Sequence, residues 1–239
     1  MSCSFGTLNK AIKITPVMSQ QSKQTLQKFL VVDDHEAILQ GTIPALKEKY
    51  PEAEILAAQD AQTAYQQFQR YHPDLLIVDL CLPEKPQAIA QTEVGMQLIK
   101  TLMESPLAPN LVVLSTNVKP LVRLKPMINA YEGGFAAMDK SLPIREMLKF
   151  VDLALRGSIY LSSELRSRPE FDRKWIEVLM LKYQEGLTDK AIAQKMLVSD
   201  RTVRNYWIRL QDSLGVYDEP GKELRIQIEI AARKIGLIN

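Results

Sequence analysis

Five polar side chains stand where apolar runs stop. The run Lys28-Phe-Leu-Val-Val-Asp33-Asp34 ends in two carboxylates, and Leu75-Leu-Ile-Val-Asp79 ends in a third. Leu111-Val-Val-Leu-Ser115 ends in a hydroxyl, and Phe135-Ala-Ala-Met-Asp-Lys140 ends in an ammonium. Short apolar runs separated by helical segments read as strands of a parallel sheet. Such a sheet gathers the carboxyl ends of its strands along one edge, where ligands bind. Three acids meeting there repel one another unless a divalent cation lies among them. The hydroxyl and the ammonium then suit the oxygens of a phosphoryl group. The chemistry is that of an aspartate that takes up phosphate.

In that order, Asp33 and Asp34, Asp79 with Pro83 four residues on, Ser115 and Lys140 resemble the receiver domain of two-component response regulators. The resemblance implies phosphorylation on Asp79 by a cognate sensor histidine kinase. It also implies a Mg2+ ion ligated by Asp34 and Asp79, by Asp33 through water and by the backbone carbonyl of Cys81. Ser115 and Lys140 would hold the phosphoryl oxygens, since positioning and charge neutralisation do most of the work in such transfers. Where receivers carry an aromatic residue three positions before the lysine, this chain has Ala137, so signal transmission is expected to be weak. Aspartyl-phosphate phosphatases use a second Asp two residues after the nucleophile. Here that position is Cys81, and the chain is read as no enzyme. Cys81 contributes its side chain as a small apolar filler. His35 and His72 read as surface residues, not ligands.

The elements that must position these groups follow from the hydrophobic pattern. Strands are expected near 28–33, 54–58, 75–79, 111–115 and 135–139, with helices at 36–49, 61–71, 95–104, 119–131 and 143–155. Five such units make an α/β, doubly wound, five-stranded parallel sheet, and the resemblance implies a flavodoxin-like strand order, 2-1-3-4-5. Residues 84–94 form a longer loop than receivers have. The expected divisions are a flexible tail at 1–26, a receiver at 27–155, a linker at 156–170 and an all-helical unit at 171–239.

In that last unit, Gly186 closes one helix, Thr188 caps the next and Ser199 caps a third. Ile192, Ala193 and Met196 give the middle helix an apolar face, and Val203, Trp207, Leu210 and Leu214 give one to the third. Two short helices joined by a tight turn form a helix-turn-helix. Gly186-Leu-Thr, Ile192-Ala193, Ser199, Thr202-Val203-Arg204 and Leu214-Gly215-Val216 resemble the LuxR-type output domain of the NarL/FixJ class. The resemblance implies that the third helix enters the major groove of double-stranded DNA. Arg204 and Asn205 would then read guanine and adenine, while Thr188, Arg201, Thr202, Tyr206 and Arg209 contact phosphate and set register. Ala191 and Ser213 stand where the family usually has Glu and Lys. The helix at 222–235 is longer than the family's fourth and reads as core packing, with dimerisation as the alternative.

The 239 residues are 46% hydrophobic and 24% charged, a globular composition with no apolar run of membrane-spanning length. Net charge is only +2, and acids and bases balance in both halves, so bulk charge does not announce nucleic acid. Cys3 and Cys81 make no disulfide framework, which fits a cytoplasmic protein. The expected partners are DNA, the histidine kinase, a second copy in the active state and RNA polymerase, with no membrane. The alternative reading is a receiver-based interaction adaptor with weak or no specific DNA binding.

Overall fold

The computed structural model describes residues 26–239, so the expected tail, Leu26 apart, lies outside the described residues. The first unit alternates β1 (Lys28–Val32), α1 (Glu36–Lys49), β2 (Glu54–Ala58), α2 (Ala61–Tyr71), β3 (Leu75–Asp79), α3 (Thr92–Met103) and β4 (Asn110–Ser115). A 3-10 helix at Lys119–Leu124, α4 (Lys125–Asn129), β5 (Phe135–Asp139) and α5 (Ile144–Leu155) follow. The strands form one parallel sheet in the order β2-β1-β3-β4-β5, to which β6 (Ile159–Tyr160) adds at the β5 edge. Among the described residues six strands are therefore present where five were expected.

Each central strand is apolar throughout because both faces are covered. Leu30, Val32, Leu76, Val78, Leu111 and Val113 point to one face, where Phe68 of α2 and Ile99 and Leu102 of α3 pack on them. Phe29, Val31, Leu75, Ile77, Val112 and Leu114 point to the other, covered by Leu39 and Leu46 of α1 and Met147 and Val151 of α5. Each such fully buried side chain contributes roughly 1.5–3 kcal/mol relative to exposure. Gly95 lets α3 lie against the chain beyond β3, since a Cβ there would come within 2.1 Å of the Leu80 carbonyl oxygen.

Two expectations change. The helix expected over 119–131 is broken into the 3-10 helix and α4. Pro126 explains the break: inside a longer helix its ring would strike the carbonyl of Val122, whereas in the first turn of α4 its missing N–H costs nothing. The segment 156–170, expected as a linker, holds β6 and α6 (Ser163–Arg166). A two-residue strand is too short to leave a periodic signal.

The second unit comprises α7 (Arg173–Tyr183), α8 (Asp189–Lys195), α9 (Asp200–Leu214) and α10 (Leu224–Ile235). Its core of Ile176, Leu179, Ile192, Val203, Trp207, Leu210 and Ile228 runs without interruption into the apolar layer beneath α3 and the 3-10 helix. Several contacts lock that junction. The Lys125 ammonium is buried and donates to the backbone carbonyls of Arg166, at 2.7 Å, and Arg168. Leu237 and Ile238 are buried, and Asn239 donates to Glu93, which also pairs with Arg123 at 2.8 Å. Gly236 has φ +85° and packs so closely on Lys119 that a Cβ would lie 2.7 Å from its carbonyl carbon, so only glycine fits without strain.

Candidate functional sites: an acidic pocket and an exposed helix face

Asp33 follows β1, Asp79 ends β3, Ser115 ends β4 and Lys140 follows β5, so the sheet brings all four to its carboxyl edge. Asp33 is 2% exposed and Asp79 4%. Lys140 bridges them, with Nζ 2.6 Å from Asp33 Oδ2 and 2.5 Å from Asp79 Oδ2. Burial alone would depress the Lys140 ammonium, but its hydrogen bonds to Asp33 and Asp79 outweigh that and hold its pKa above the usual lysine value. Ser115 lies one strand away, its backbone carbonyl accepting from the Lys140 N–H at 3.2 Å and its hydroxyl accepting from the Asn117 N–H at 3.4 Å. Cys81 is half-buried beside the acids. Burial and the charges of Asp79 and Asp34 push its thiol pKa up, so it stays neutral.

One ammonium faces three carboxylates, which leaves the pocket short of positive charge. Asp33, Asp34, His35 and Asp79 each offer a ligand atom, all within 4.8 Å of one another. Asp34 Oδ1 is buried and makes no hydrogen bond. His35 Nδ1 comes within 2.7 Å of it without hydrogen-bonding geometry. An orphaned carboxylate oxygen among hard oxygen donors is what a hard divalent cation requires. His35 is the residue whose contacts the sequence does not show. It reads as a surface side chain, and it is exposed, yet its imidazole turns back onto the acids it follows. The signal was its position directly after Asp34. His72, by contrast, is exposed at the left-handed end of α2, away from the pocket.

The second candidate site is a surface. Thr188 caps α8 and Ser199 caps α9, accepting from the Ala191 N–H at 3.3 Å and the Thr202 N–H at 3.1 Å. Between these helices the turn passes through Leu197 at φ +54°, an uncommon conformation for leucine that the backbone bonds of Leu197 to Gln194 and Val198 to Ala193 enforce. A polar node missed in the sequence sets the angle of α9. Asp189 accepts from the Trp207 indole at 3.2 Å and from Arg225 at 3.0 Å, and the Arg225 guanidinium stacks 3.6 Å from the Trp207 ring centroid.

That node and the buried Val203, Trp207 and Leu210 turn the opposite side of α9 outward. Arg201, Arg204, Asn205 and Arg209 are exposed there, and among the described residues none of their side chains has a hydrogen bond or ion pair. Tyr206 is half-buried. Thr202 shares a 2.8 Å hydroxyl contact with Ser199, and the Thr188 hydroxyl is spent on its cap, so both serve the helix ends first.

Residues 29–151 match the response regulator receiver domain family, and the chain belongs to that family. A helix-turn-helix, α8 and α9, follows the receiver. The transcriptional regulatory protein YdfI of Bacillus subtilis (strain 168) is 25% identical over 205 residues, covering 80% of this chain and 90% of the relative. The DNA-binding transcriptional activator DevR/DosR of Mycobacterium tuberculosis is 23% identical, covering 79% and 88%. Among solved structures, RcsB of Salmonella enterica serovar Typhimurium, bound to a promoter with BeF3−, has TM-score 0.51 at 20% identity and covers 87% of this chain and 100% of that one. A structure of two RcsB dimers on two parallel DNAs has TM-score 0.54 at 20% identity, covering 88% and 99%. Both likenesses concern the fold.

Proposed function

We propose that this chain is a phosphorylation-controlled, DNA-binding transcription regulator that accepts a phosphoryl group on Asp79. The observation that carries the reading is the Lys140 ammonium shared between Asp33 and Asp79 at the sheet edge, in a chain that also presents an unpaired basic helix face. An Asp79 carboxylate oxygen attacks phosphorus, and the bond to the donor, a kinase phosphohistidine, breaks. Asp34, Asp79, Asp33 through water and the Cys81 carbonyl would hold Mg2+, which screens the phosphoryl oxygens when bound. Lys140 neutralises one of those oxygens, and the Ser115 hydroxyl donates to another.

The receiver is assigned to 27–155 and the DNA-binding unit to 171–239, with 156–170 between them. Arg204 and Asn205 read base edges; Thr188, Arg201, Thr202, Tyr206 and Arg209 hold backbone phosphates. The chain acts as a regulator, not an enzyme, on double-stranded DNA, as a homodimer when active, with RNA polymerase as its downstream partner, in the cytoplasm. Among the described residues no helix is long and apolar enough to cross a membrane.

Intact-mass analysis after treatment with acetyl phosphate and Mg2+ tests the central assignment. The wild type gains one phosphoryl group and Asp79→Asn gains none. An unchanged adduct on the variant refutes it.

A further inference from the structure

The outward face of α9 carries one apolar side chain among its polar ones. Ile208 is 54% exposed. At about 100° per residue around the helix axis, it falls between Arg204 and Asn205, on the side away from Val203, Trp207 and Leu210. An exposed isoleucine contributes nothing to the core, and its branched side chain is a weak helix former. A single exposed apolar residue is ordinary elsewhere on a surface. Its position at the centre of this face gives it a use.

The face lies along the helix that the DNA-binding reading places in the major groove. There, base edges present hydrogen-bond donors and acceptors, and one apolar group, the 5-methyl of thymine. Isoleucine can offer no hydrogen bond, so it cannot select guanine, cytosine or adenine by pairing. Against any of those edges it would bury a donor or acceptor without a partner, at a cost. Only a thymine methyl matches it.

We propose that Ile208 is a specificity-determining residue that packs on the 5-methyl of a thymine adjoining the bases read by Arg204 and Asn205. The inference rests on the DNA-binding reading. It adds a named base and the atom recognised.

The test uses the full chain and a site selected from random double-stranded DNA by the wild-type protein. Each thymine of that site is replaced in turn by deoxyuridine, which keeps the hydrogen-bonding edge and removes only the methyl. At one position per half-site, affinity at fixed salt should fall about threefold to fourfold, the effect of burying one methyl group. Ile208→Ala should bind the thymine site more weakly and be indifferent to deoxyuridine at that position, while Ile208→Val keeps the sensitivity. Because Ile208 is exposed, the truncation leaves the core of the unit intact. Equal losses in wild type and Ile208→Ala at every thymine overturn the proposal and leave the DNA-binding reading standing. Failure of the wild type to select any DNA sinks that reading and this inference with it.

Discussion

The two functional regions are built on opposite rules. In the acidic pocket the charges are buried, and Lys140, Asp33 and Asp79 hold one another within 2.6 Å before any phosphoryl group arrives. On α9 the outward charged side chains stand in solvent without partners among the described residues. The phosphoryl transfer proposed at Asp79 needs atoms fixed in advance, because positioning is most of what such a site supplies. Recognition needs donors left free for a partner, because a donor already paired must break one bond to make another. Substitutions in the pocket therefore strike stability and function together. Those on the exposed face of α9 should leave stability intact and strike the proposed recognition alone.

The largest effect should come from removing the one cation in the pocket. Lys140 is 10% exposed, and its loss leaves three carboxylates facing one another. Lys140→Ala is expected to destabilise the receiver by about 3–5 kcal/mol in Mg2+-free buffer, the range for breaking a buried pair. Added Mg2+ should recover part of that loss. Urea unfolding monitored with and without Mg2+ measures both. A variant as stable as the wild type without metal would remove the first half of the comparison.

On α9 the expected effects are smaller and leave folding untouched. Arg204→Ala should weaken specific binding by about 1–3 kcal/mol and relax preference at one base position. Arg209→Ala should weaken all sequences alike and flatten the salt dependence. Binding isotherms over a panel of sites at several salt concentrations separate the two. Identical behaviour would show that the division into base-reading and phosphate-holding residues is wrong.

The smallest effect concerns the link between the regions. Ala137 is buried in β5 and has no rotamer to switch. The basic face of α9 is already exposed, so phosphorylation has nothing to uncover there. From Ser115 a short run of contacts reaches the second unit at the end of α10: the Asn117 N–H donates to the Ser115 hydroxyl, the Lys119 N–H donates to the Asn117 side chain at 3.2 Å, and Gly236 packs on Lys119. A ligand shifts an equilibrium only by its differential affinity for the two states. Beryllofluoride is therefore expected to change DNA affinity by less than about fivefold, near the lower end of allosteric coupling. A change of a hundredfold would mean that the Ser115-to-Gly236 route, or another, carries the signal without an aromatic switch.

Local signals made much of this molecule legible. The apolar runs of β1, β3, β4 and β5 are visible because a strand covered on both faces must be apolar along its length. The caps Thr188 and Ser199 are visible because a helix start leaves N–H groups that a hydroxyl satisfies. Asp33, Asp79, Ser115 and Lys140 could be gathered on paper because a parallel sheet sends every strand end to one edge. The helix over 119–131 was misread because its apolar periodicity is real, while the weight of Pro126 depends on where the helix starts.

By itself, then, the sequence determined the two units, the acidic edge and the helix that faces outward, each set by residues near one another along the chain or by the symmetry of a sheet. Tertiary structure alone decided the rest. It turned His35 onto the acids, left Asp34 Oδ1 without a donor, joined Asp189 to Trp207 and Arg225, and buried Leu237 and Ile238 against the receiver. Those outcomes depend on which distant surfaces meet, and neither spacing nor propensity encodes that meeting.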